Sequence, residues 1–340
     1  MILVTGATGI LGRVLILELQ KRGRTVRATK RKSSNIAEVK DSFKFYVENP
    51  DEEFAKIQWI DVDFDDISSL KSALEGVDEV YHCAAKVSFH PDKKREMYHT
   101  NIDGTKNLLY ACENSSVKKF CFVSSIAVLD GLNENGEMDE NSDYNPKIDH
   151  SAYAVSKHFS EMEVWRASAE GLNTVIINPG MIVGSGNWNQ SSGELFGTFE
   201  KNGFIGSGGT SYVDVRDVAK IAVELMDKNI FGERFILISE NVRFFDFGKM
   251  VRGKLGLKDQ KILSASVLNL GRILSFLFGW MVPKLKMANK VNIEAISNFN
   301  KISNKKIVEK LDYHFIPISE SIDFHLKNYL KKDGSLKTAD

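Results

Sequence analysis

Three glycines, each separated from the next by two residues, follow a short apolar run at residues 1–4 and open an amphipathic segment. This order predicts a strand, a tight turn and the start of a helix. Gly6 lets the chain turn out of the strand, Gly9 lets backbone N–H groups approach a phosphate, and Gly12 lets helix and strand pack closely. The positive end of the helix dipole then faces a bound pyrophosphate. We therefore predict a dinucleotide-binding turn whose contacts come from Gly6, Thr8, Gly9, Ile10, Leu11 and Gly12.

Strand-like and helix-like segments alternate after this turn. Strand-like runs lie at 25–29, 57–62, 79–83, 119–124 and 174–178, and helical patterns lie at 10–21, 67–74, about 93–113 and 152–169. This alternation predicts an α/β fold with a doubly wound parallel sheet of the Rossmann type, covered by helices on both faces. The acidic and aromatic segment 41–55, which contains a proline, is predicted to be a surface insertion before the third strand.

The alternation weakens after residue 178, where glycine clusters begin. We expect a dinucleotide-binding domain over 1–178, to which the chain returns at about 210–240. A smaller C-terminal substrate-binding lobe is expected over 179–330, with a flexible tail at 331–340.

Charge and cysteine content restrict the partners. Lys and Arg number 45, as do Asp and Glu, so nothing in the net charge favours nucleic acid. Cys83, Cys112 and Cys121 form no metal-spaced pair, so we expect no metal site and buried reduced thiols in a cytoplasmic protein. A strand that begins at the first residue leaves no room for a cleavable leader, and no apolar run reaches the roughly 18 residues of a membrane span.

Tyr153 is the only tyrosine with a lysine four residues later, Lys157, and both fall near the start of a predicted helix. This spacing places the two side chains on one helix face. An ammonium group favours the phenolate, which lets a tyrosine exchange protons at neutral pH although a free phenol has a pKa near 10. Ser124 and Ser125 end an earlier strand at the carboxyl edge of the sheet, where doubly wound folds bind ligands. One of these hydroxyls is predicted to hold a substrate oxygen.

These motifs, in this order, resemble the extended short-chain dehydrogenase/reductases, also called the NAD-dependent epimerase/dehydratase family. The segments that carry the resemblance are TGATGILG at 5–12, YHCAAKV at 81–87, NIDGTKN at 101–107, FVSSIAV at 122–128, YAVSK at 153–157, INPGMIVG at 177–184 and YVDVRDVA at 212–219. Within the family the chain is most similar to the branch of dihydroflavonol 4-reductases and 3β-hydroxysteroid dehydrogenases, because of VRATKR at 26–31 and its apolar C-terminal stretch. Two positions depart from the family pattern: Val62 replaces a usual glycine, and Leu129 stands where epimerases often have tyrosine.

The resemblance implies a role for each catalytic position. Tyr153 would be the general acid and base, and Lys157 would bind the nicotinamide ribose and lower the pKa of the tyrosine. Ser125 would hydrogen-bond the reacting oxygen, with Ser124 as the alternative. Asn101 aligns with an asparagine that organises a proton relay in many relatives, although a helix-bending or capping role is an equal alternative.

The resemblance also implies cofactor contacts along the carboxyl edge of the sheet. Asp63 and Phe64 would meet the adenine, and the nicotinamide would lie against the backbone of Pro179, Gly180, Met181 and Ile182. The ribose and phosphate contacts would come from Ala84, Ala85 and Lys86, with Ser124, Tyr153 and Lys157 completing the set.

The end of the second strand favours NADP(H) over NAD(H), which remains the alternative. An acidic residue there would bind the ribose 2′-hydroxyl of NAD, and none is present. Lys30, Arg31 and Lys32 instead supply cations suited to a 2′-phosphate, with Arg31 the best single candidate. A solvated basic turn is the other interpretation.

The segment 269–282 is apolar around the whole helix and therefore needs cover on most sides. We expect a lid over an apolar substrate, formed by Leu274, Phe276, Phe278 and Trp280. A core helix, a homodimer contact or a peripheral membrane contact aided by Lys284 and Lys286 are the alternatives.

The sequence thus predicts an NADP(H)-dependent ketone reductase or secondary alcohol dehydrogenase, acting on a moderately large and partly apolar small molecule. Two alternatives remain: a sugar-nucleotide epimerase or dehydratase that retains NAD, and a non-catalytic NADP-binding regulator.

Overall fold

A computed structural model describes residues 1–188, 191–278 and 282–331. The strands are β1 (Ile2–Thr5), β2 (Val26–Lys30), β3 (Gln58–Asp61), β4 (Glu79–His82), β5 (Lys119–Val123), β6 (Glu137–Met138), β7 (Asn173–Pro179), β8 (Met181–Val183), β9 (Phe204–Ile205), β10 (Gly209–Asp214), β11 (Glu233–Leu237), β12 (Glu240–Arg243), β13 (Lys261–Ile262) and β14 (Lys301–Ile302). The α-helices are α1 (Ile10–Lys21), α2 (Ile36–Phe43), α3 (Pro50–Ala55), α4 (Ile67–Leu74), α5 (Lys94–Tyr98), α6 (Gly104–Glu113), α7 (Ala152–Ala169), α8 (Leu195–Lys201), α9 (Val215–Asp227), α10 (Phe244–Lys254), α11 (Ala265–Phe278), α12 (Lys290–Ser297), α13 (Lys305–Leu311) and α14 (Ile318–Leu330).

Seven parallel strands form the main sheet, in the order β11-β7-β5-β4-β1-β2-β3. The strand order reverses between β1 and β4, so their carboxyl ends lie side by side, with Thr5 opposite His82. A crevice at such a reversal is where doubly wound sheets bind ligands. The predicted Rossmann-type fold is confirmed.

Alternating side chains of the strands build a hydrophobic core on each face of the sheet. In β1, Ile2 and Val4 point to the core under α1 and α9, whereas Leu3 points to the core under α4, α6 and α7. Such strands carry apolar residues at nearly every position because both of their faces are buried.

A second apolar cluster lies beside the main sheet. The three-stranded sheet β12-β10-β8 supports α8, α10 and α14. Helix α14 contributes Ile318, Ile322, Leu326 and Tyr329, whose spacing places them along one helix face. This cluster positions the chain that follows β7.

The segment 41–55 is only in part the surface insertion that its composition predicts, since α3 has no buried residue but the end of α2 is buried. Its first residues complete α2, and its last residues form α3. Val39 and Phe43 are fully buried and pack in the core under α1. The acidic and polar residues of this segment form the outer face of two amphipathic helices, and this face dominates the composition.

The long helical pattern at about 93–113 is interrupted by a π-helical turn at His99–Asp103, which separates α5 from α6. The three cysteines are free: Cys112 and Cys121 are buried as expected, whereas Cys83 is partly buried. Over the described ranges, no helix is long and apolar enough to cross a membrane. The predicted tail lies outside the described residues from 332 onward.

Candidate active site

The glycine turn after β1 has the close backbone packing that the sequence predicts. Gly6 has φ +64°, and a Cβ atom there would lie 2.6 Å from the backbone nitrogen of Ala84. The Gly9 N–H donates to the Gly6 carbonyl oxygen at 2.9 Å. A Cβ atom at Gly12 would overlap that same carbonyl oxygen. The turn therefore forms a cradle without side chains at the start of α1, which suits the pyrophosphate of a dinucleotide.

Arg13 holds this cradle from behind, a role that the sequence analysis missed. Its fully buried guanidinium donates to the carbonyl oxygens of Thr8 at 2.6 Å and Gly9 at 3.2 Å. It also forms a two-pronged pair with Glu38 at 2.9 and 2.7 Å. Burial alone would raise the pKa of Glu38, but the hydrogen bonds and charge of Arg13 lower it overall. An arginine inside a predicted buried helix face was the only sequence signal.

The basic residues at the end of β2 and directly after it differ in whether an acidic side chain already pairs with them. Lys30 donates to Asp61 at 2.5 Å, so its charge is already paired. Arg31 and Lys32 are exposed. Burial lowers the pKa of Lys86, and the charges of Lys93 and Arg31 lower it further, which places Arg31 and Lys86 in one electropositive region. Lys86 is also paired with Glu96.

Ser125 and Tyr153 meet at the carboxyl edge of the sheet. Helix α7 begins after Ser151, whose hydroxyl accepts from the Ala154 N–H at 3.1 Å, and this cap fixes the first turn that carries Tyr153. Burial raises the pKa of Tyr153, and its hydrogen bond with Ser125 lowers it in part. The Ser125 hydroxyl also accepts from the Ala127 N–H. The structure thus brings the predicted serine and tyrosine into contact.

Lys157 lies one turn further along α7 and is buried. Its Nζ donates to the Val123 carbonyl oxygen at 2.7 Å and lies 4.8 Å from the centre of the Phe122 ring. Burial lowers the pKa of Lys157 to about 8. The resemblance implies a lowered pKa for Tyr153, whereas in the chain itself desolvation of the phenolate outweighs the other effects and raises it.

Asn101 joins the loop after β4 to α7 through side-chain hydrogen bonds. Its side-chain oxygen accepts from the Lys86 N–H at 2.7 Å, and its Nδ2 donates to the Lys86 carbonyl oxygen and to Ser156 Oγ. Its own carbonyl oxygen accepts from the hydroxyls of Thr105 and Ser160. Asn101 lies inside the π-helical turn, so its carbonyl is available to these hydroxyls. The contacts support the helix-bending alternative and leave its proton-relay role a prediction.

His82 joins the strand ends and was also missed. Its Nδ1 is 2.6 Å from Thr5 Oγ1 and its Nε2 is 3.0 Å from Thr105 Oγ1. Because Thr105 donates its proton to the Asn101 carbonyl, it accepts from His82, so we assign the proton to Nε2. Burial, with a smaller effect of Lys157, lowers the pKa of His82 to about 3 and keeps the ring neutral. The motif YHCAAKV contained this residue, but no local pattern indicated its partners.

The remaining predicted cofactor positions follow the same edge of the sheet. Ala84 donates its N–H to Thr5 Oγ1 at 3.3 Å, and Ala85 is exposed. The Phe64 ring packs 5.9 Å from the His82 ring, whereas Asp63 is exposed. The chain leaves the main sheet between Pro179 and Met181 and enters the smaller sheet, where Met181 and Ile182 pair with β10. Ser124 is buried at the end of β5.

The apolar segment 269–282 lies largely in α11. Leu270 is 56% exposed and Ile273 is 52% exposed, so the core-helix alternative is wrong for this face, while Leu274 is partly buried. The side chains of Phe276 and Phe278, and the whole of Trp280, lie outside the described residues. Lys286 is paired with Asp92 at 2.7 Å, and the side chain of Lys284 is not described.

Metal ligation is not indicated in the described part of the chain, which contains no group of three or more His, Cys, Asp or Glu side chains arranged to hold an ion.

Comparisons with known proteins support one family. The sequence model of the NAD dependent epimerase/dehydratase family matches residues 2–236. The chain is 31% identical to sterol demethylase protein B of Methylococcus capsulatus, over 70% of each chain. It is 28% identical to a putative dihydroflavonol 4-reductase of Synechocystis, over 70% of this chain and 68% of that protein. The crystal structure of UDP-glucose 4-epimerase from Thermotoga maritima shares the fold, with 19% identity, TM-score 0.75 and coverage of 97% and 98%.

Proposed function

Because the chain belongs to the NAD dependent epimerase/dehydratase family, we propose that it is an NADP(H)-dependent reductase or dehydrogenase that interconverts a ketone and a secondary alcohol. The chain is an NAD(P)-dependent enzyme of the extended short-chain dehydrogenase/reductase type. The proposal of ketone and alcohol interconversion rests on the contact of Tyr153 with Ser125, one helical turn from the buried Lys157. We place the enzyme in the cytoplasm, in keeping with its free cysteines.

The proposed chemistry divides among three side chains. Ser125 holds the substrate oxygen through its hydroxyl, and Tyr153 donates a proton to that oxygen during reduction or removes it during oxidation. Lys157 supplies a positive charge that favours the phenolate form of Tyr153. The nicotinamide, when bound, supplies or accepts the hydride. The glycine cradle, which Arg13 keeps in shape, would hold the phosphates of the same cofactor.

The electropositive region after β2 supports NADP(H). Arg31 is exposed and its charge acts on Lys86, whereas no acidic residue follows Thr29 to repel a 2′-phosphate. Lys30 is less available because Asp61 holds it. Arg31 is therefore the residue we assign to the 2′-phosphate.

A partly apolar substrate fits two further observations. Two relatives are named for a sterol and for a dihydroflavonol, which are large ring systems. The segment after α11 is tied to the loops on either side of the site, since Lys286 pairs with Asp92 and Lys290 pairs with Asp149. Asp149 lies four residues before Tyr153, so Lys290 lies near the start of the helix that carries Tyr153. We propose that α11 and the segment after it cover an apolar substrate.

Turnover with a panel of ketones tests the proposal. We expect NADPH consumption with aromatic or steroid-like ketones, and a loss of about a hundredfold or more in Tyr153→Phe while NADPH still binds. Lys157→Met should lose both turnover and cofactor affinity. Interconversion of UDP-sugars without net NADPH consumption would instead establish the epimerase alternative, and near-normal ketone turnover by Tyr153→Phe would disprove the mechanism.

A further inference from the structure

Glu161 lies on α7 one turn beyond Lys157 and two turns beyond Tyr153, so the three side chains share one helix face. Its side chain is 1% exposed. A carboxylate is rarely buried to this degree unless specific partners satisfy it. The chemistry proposed above does not use this residue.

The contacts of Glu161 lead to the catalytic serine. Asn178, in β7, donates from Nδ2 to Glu161 Oε1 at 2.7 Å. The same amide donates to the carbonyl oxygen of Ser125 at 3.1 Å. Glu161 therefore fixes the orientation of the amide that holds the backbone of Ser125 in place.

The charge of Glu161 acts on Lys157. The two groups are one turn apart on α7 and both are buried, so their attraction is little screened by solvent. Burial lowers the pKa of Lys157, and Cys83 and then Glu161 raise it in part. Because burial raises the pKa of Cys83 to about 12, that thiol is uncharged at neutral pH, and Glu161 supplies the negative charge. Lys157 is otherwise faced by the Cys83 thiol and the neutral His82 ring.

Arg234 and a polar cavity lie next to the Glu161 carboxylate. Arg234, in β11, places Nη1 at 3.6 Å from Glu161 Oε2. Both side chains line a cavity of about 560 Å³, together with Glu140, Asp143, His158 and Lys306. Burial raises the pKa of Glu161, while hydrogen bonds with Ser124 and Asn178 and the charges of Arg234 and Lys157 lower it in part.

We propose that Glu161 is the positioning residue of this site, which keeps Lys157 in its ammonium form and fixes the backbone of Ser125 through Asn178. This inference rests on the proposed function, in which Lys157 and Ser125 act around Tyr153. It extends the set of residues that position the site by one further turn of α7.

A titration of Lys157 tests the inference without requiring turnover. Protein labelled with ¹³C at the lysine ε-carbon is followed by NMR between pH 6 and pH 11, with Lys157→Met identifying the signal. Glu161→Gln should lower the midpoint of Lys157 by about one pH unit, because removing the negative charge makes the ammonium easier to deprotonate. Glu161→Asp, which keeps the charge, should restore most of the wild-type midpoint of Lys157. Glu163→Gln, on the same helix and paired with Arg166, should leave it unchanged.

The rate profile supplies a second readout. In Glu161→Gln the alkaline limb of kcat/KM should move to lower pH by a similar amount, whereas a merely structural role would lower the rate equally at every pH. An unchanged Lys157 midpoint in a folded Glu161→Gln protein overturns the inference. A shifted midpoint in a protein whose wild type never consumes NADPH keeps the inference and disproves the proposed function.

A second variant tests the inference if Glu161→Gln does not fold. Arg234→Gln removes the cation that faces Glu161 from β11, so the carboxyl should take up a proton at higher pH and the acid limb of kcat/KM should move upward. An acid limb that stays in place would then overturn the inference.

Discussion

Burial determines the charge of individual side chains around the site. Lys157 keeps an ammonium group whose pKa is lowered to about 8, and His82 is kept neutral by a pKa lowered to about 3. Both shifts have the same cause, since removing a cation from water favours its neutral form. Arg31 differs from these residues because it is exposed, so a ligand can reach its guanidinium group. Its role is therefore open to a direct binding test.

Arg31→Ala should remove most of the preference for NADPH over NADH. We expect wild-type protein to bind NADPH at least tenfold more tightly, since a charge-assisted contact with phosphate contributes about 1.5 to 3 kcal/mol, or one to two powers of ten. Fluorescence titration with each nucleotide measures both affinities. Lys118→Ala, an exposed cation at the opposite end of the sheet, is the matched control. Equal affinities of wild-type protein for the two nucleotides would contradict the assignment.

At the scale of single elements, close backbone approach decides what a position tolerates. The turn between β1 and α1 brings Gly12 against the carbonyl oxygen of Gly6, whereas Gly253 in α10 has no atom within 4 Å of an added Cβ. The same substitution should thus have opposite consequences in the two helices.

Gly12→Ala should weaken NADPH binding severely and destabilise the fold by about 1 to 3 kcal/mol, because the new methyl group displaces backbone that cannot move freely. Gly253→Ala should be neutral or stabilising by up to about 1 kcal/mol, since alanine has the higher helix propensity. Urea unfolding and nucleotide titration measure both effects. A Gly12→Ala protein with normal affinity for NADPH would show that the cradle is not the phosphate site.

Helix α11 carries apolar side chains of different exposure that can be tested separately. Leu274→Ser should raise KM for an apolar ketone by one to two powers of ten, since burying a large apolar group contributes about 1.5 to 3 kcal/mol. Leu270→Ser, at a side chain that is 56% exposed, should leave KM unchanged. If Leu270→Ser instead abolishes co-sedimentation with anionic liposomes and Leu274→Ser has no effect on KM, the helix is a membrane-surface element.

At the scale of the whole molecule, one buried network ties α14 to the rest of the fold. Asp214, at the end of β10, accepts from Arg216 at 2.9 and 2.7 Å and lies 3.1 Å from His325 Nε2. The other ring nitrogen of His325 lies 2.7 Å from Ser185 Oγ. The serine, histidine and aspartate follow the order of a hydrolase triad, but all three are fully buried, so no substrate reaches them. Their role is to join the smaller sheet to α14.

Asp214→Asn should destabilise the protein by about 1.5 to 3 kcal/mol at pH 7, because it weakens the charge-assisted hydrogen bonds from the partly exposed Arg216 to the buried carboxylate. Burial opposes ionisation of Asp214, but hydrogen bonds from Arg216 and His325 hold its pKa well below the usual value. Its contribution is therefore fully present above the unfolded-state pKa of about 4 and is lost as the pH falls below it. Urea unfolding from pH 7 to pH 3 should show the difference between wild type and variant shrinking, and a constant difference would contradict this account.

The sequence by itself determined six of the seven strands of the main sheet, all but β11, and the positions of the glycine turn, Ser125, Tyr153 and Lys157. These features depend on neighbouring residues: the alternation of apolar side chains, the glycine spacing and the four-residue spacing within a helix are all local. The limits of α1, α4 and α7 agree with the predicted ones for the same reason.

Only the tertiary structure decided which distant groups meet. Arg13 forms hydrogen bonds with Glu38, which lies 25 residues later in the chain, and Ser185 with His325, which lies 140 residues later. The packing of the elements also decides which face of α2 is buried, which hydrogen bonds His82 makes and where Glu161 lies relative to Lys157. Such polar groups acquire their partners, and their altered pKa values, only when folding removes them from water, so no local pattern carries that information.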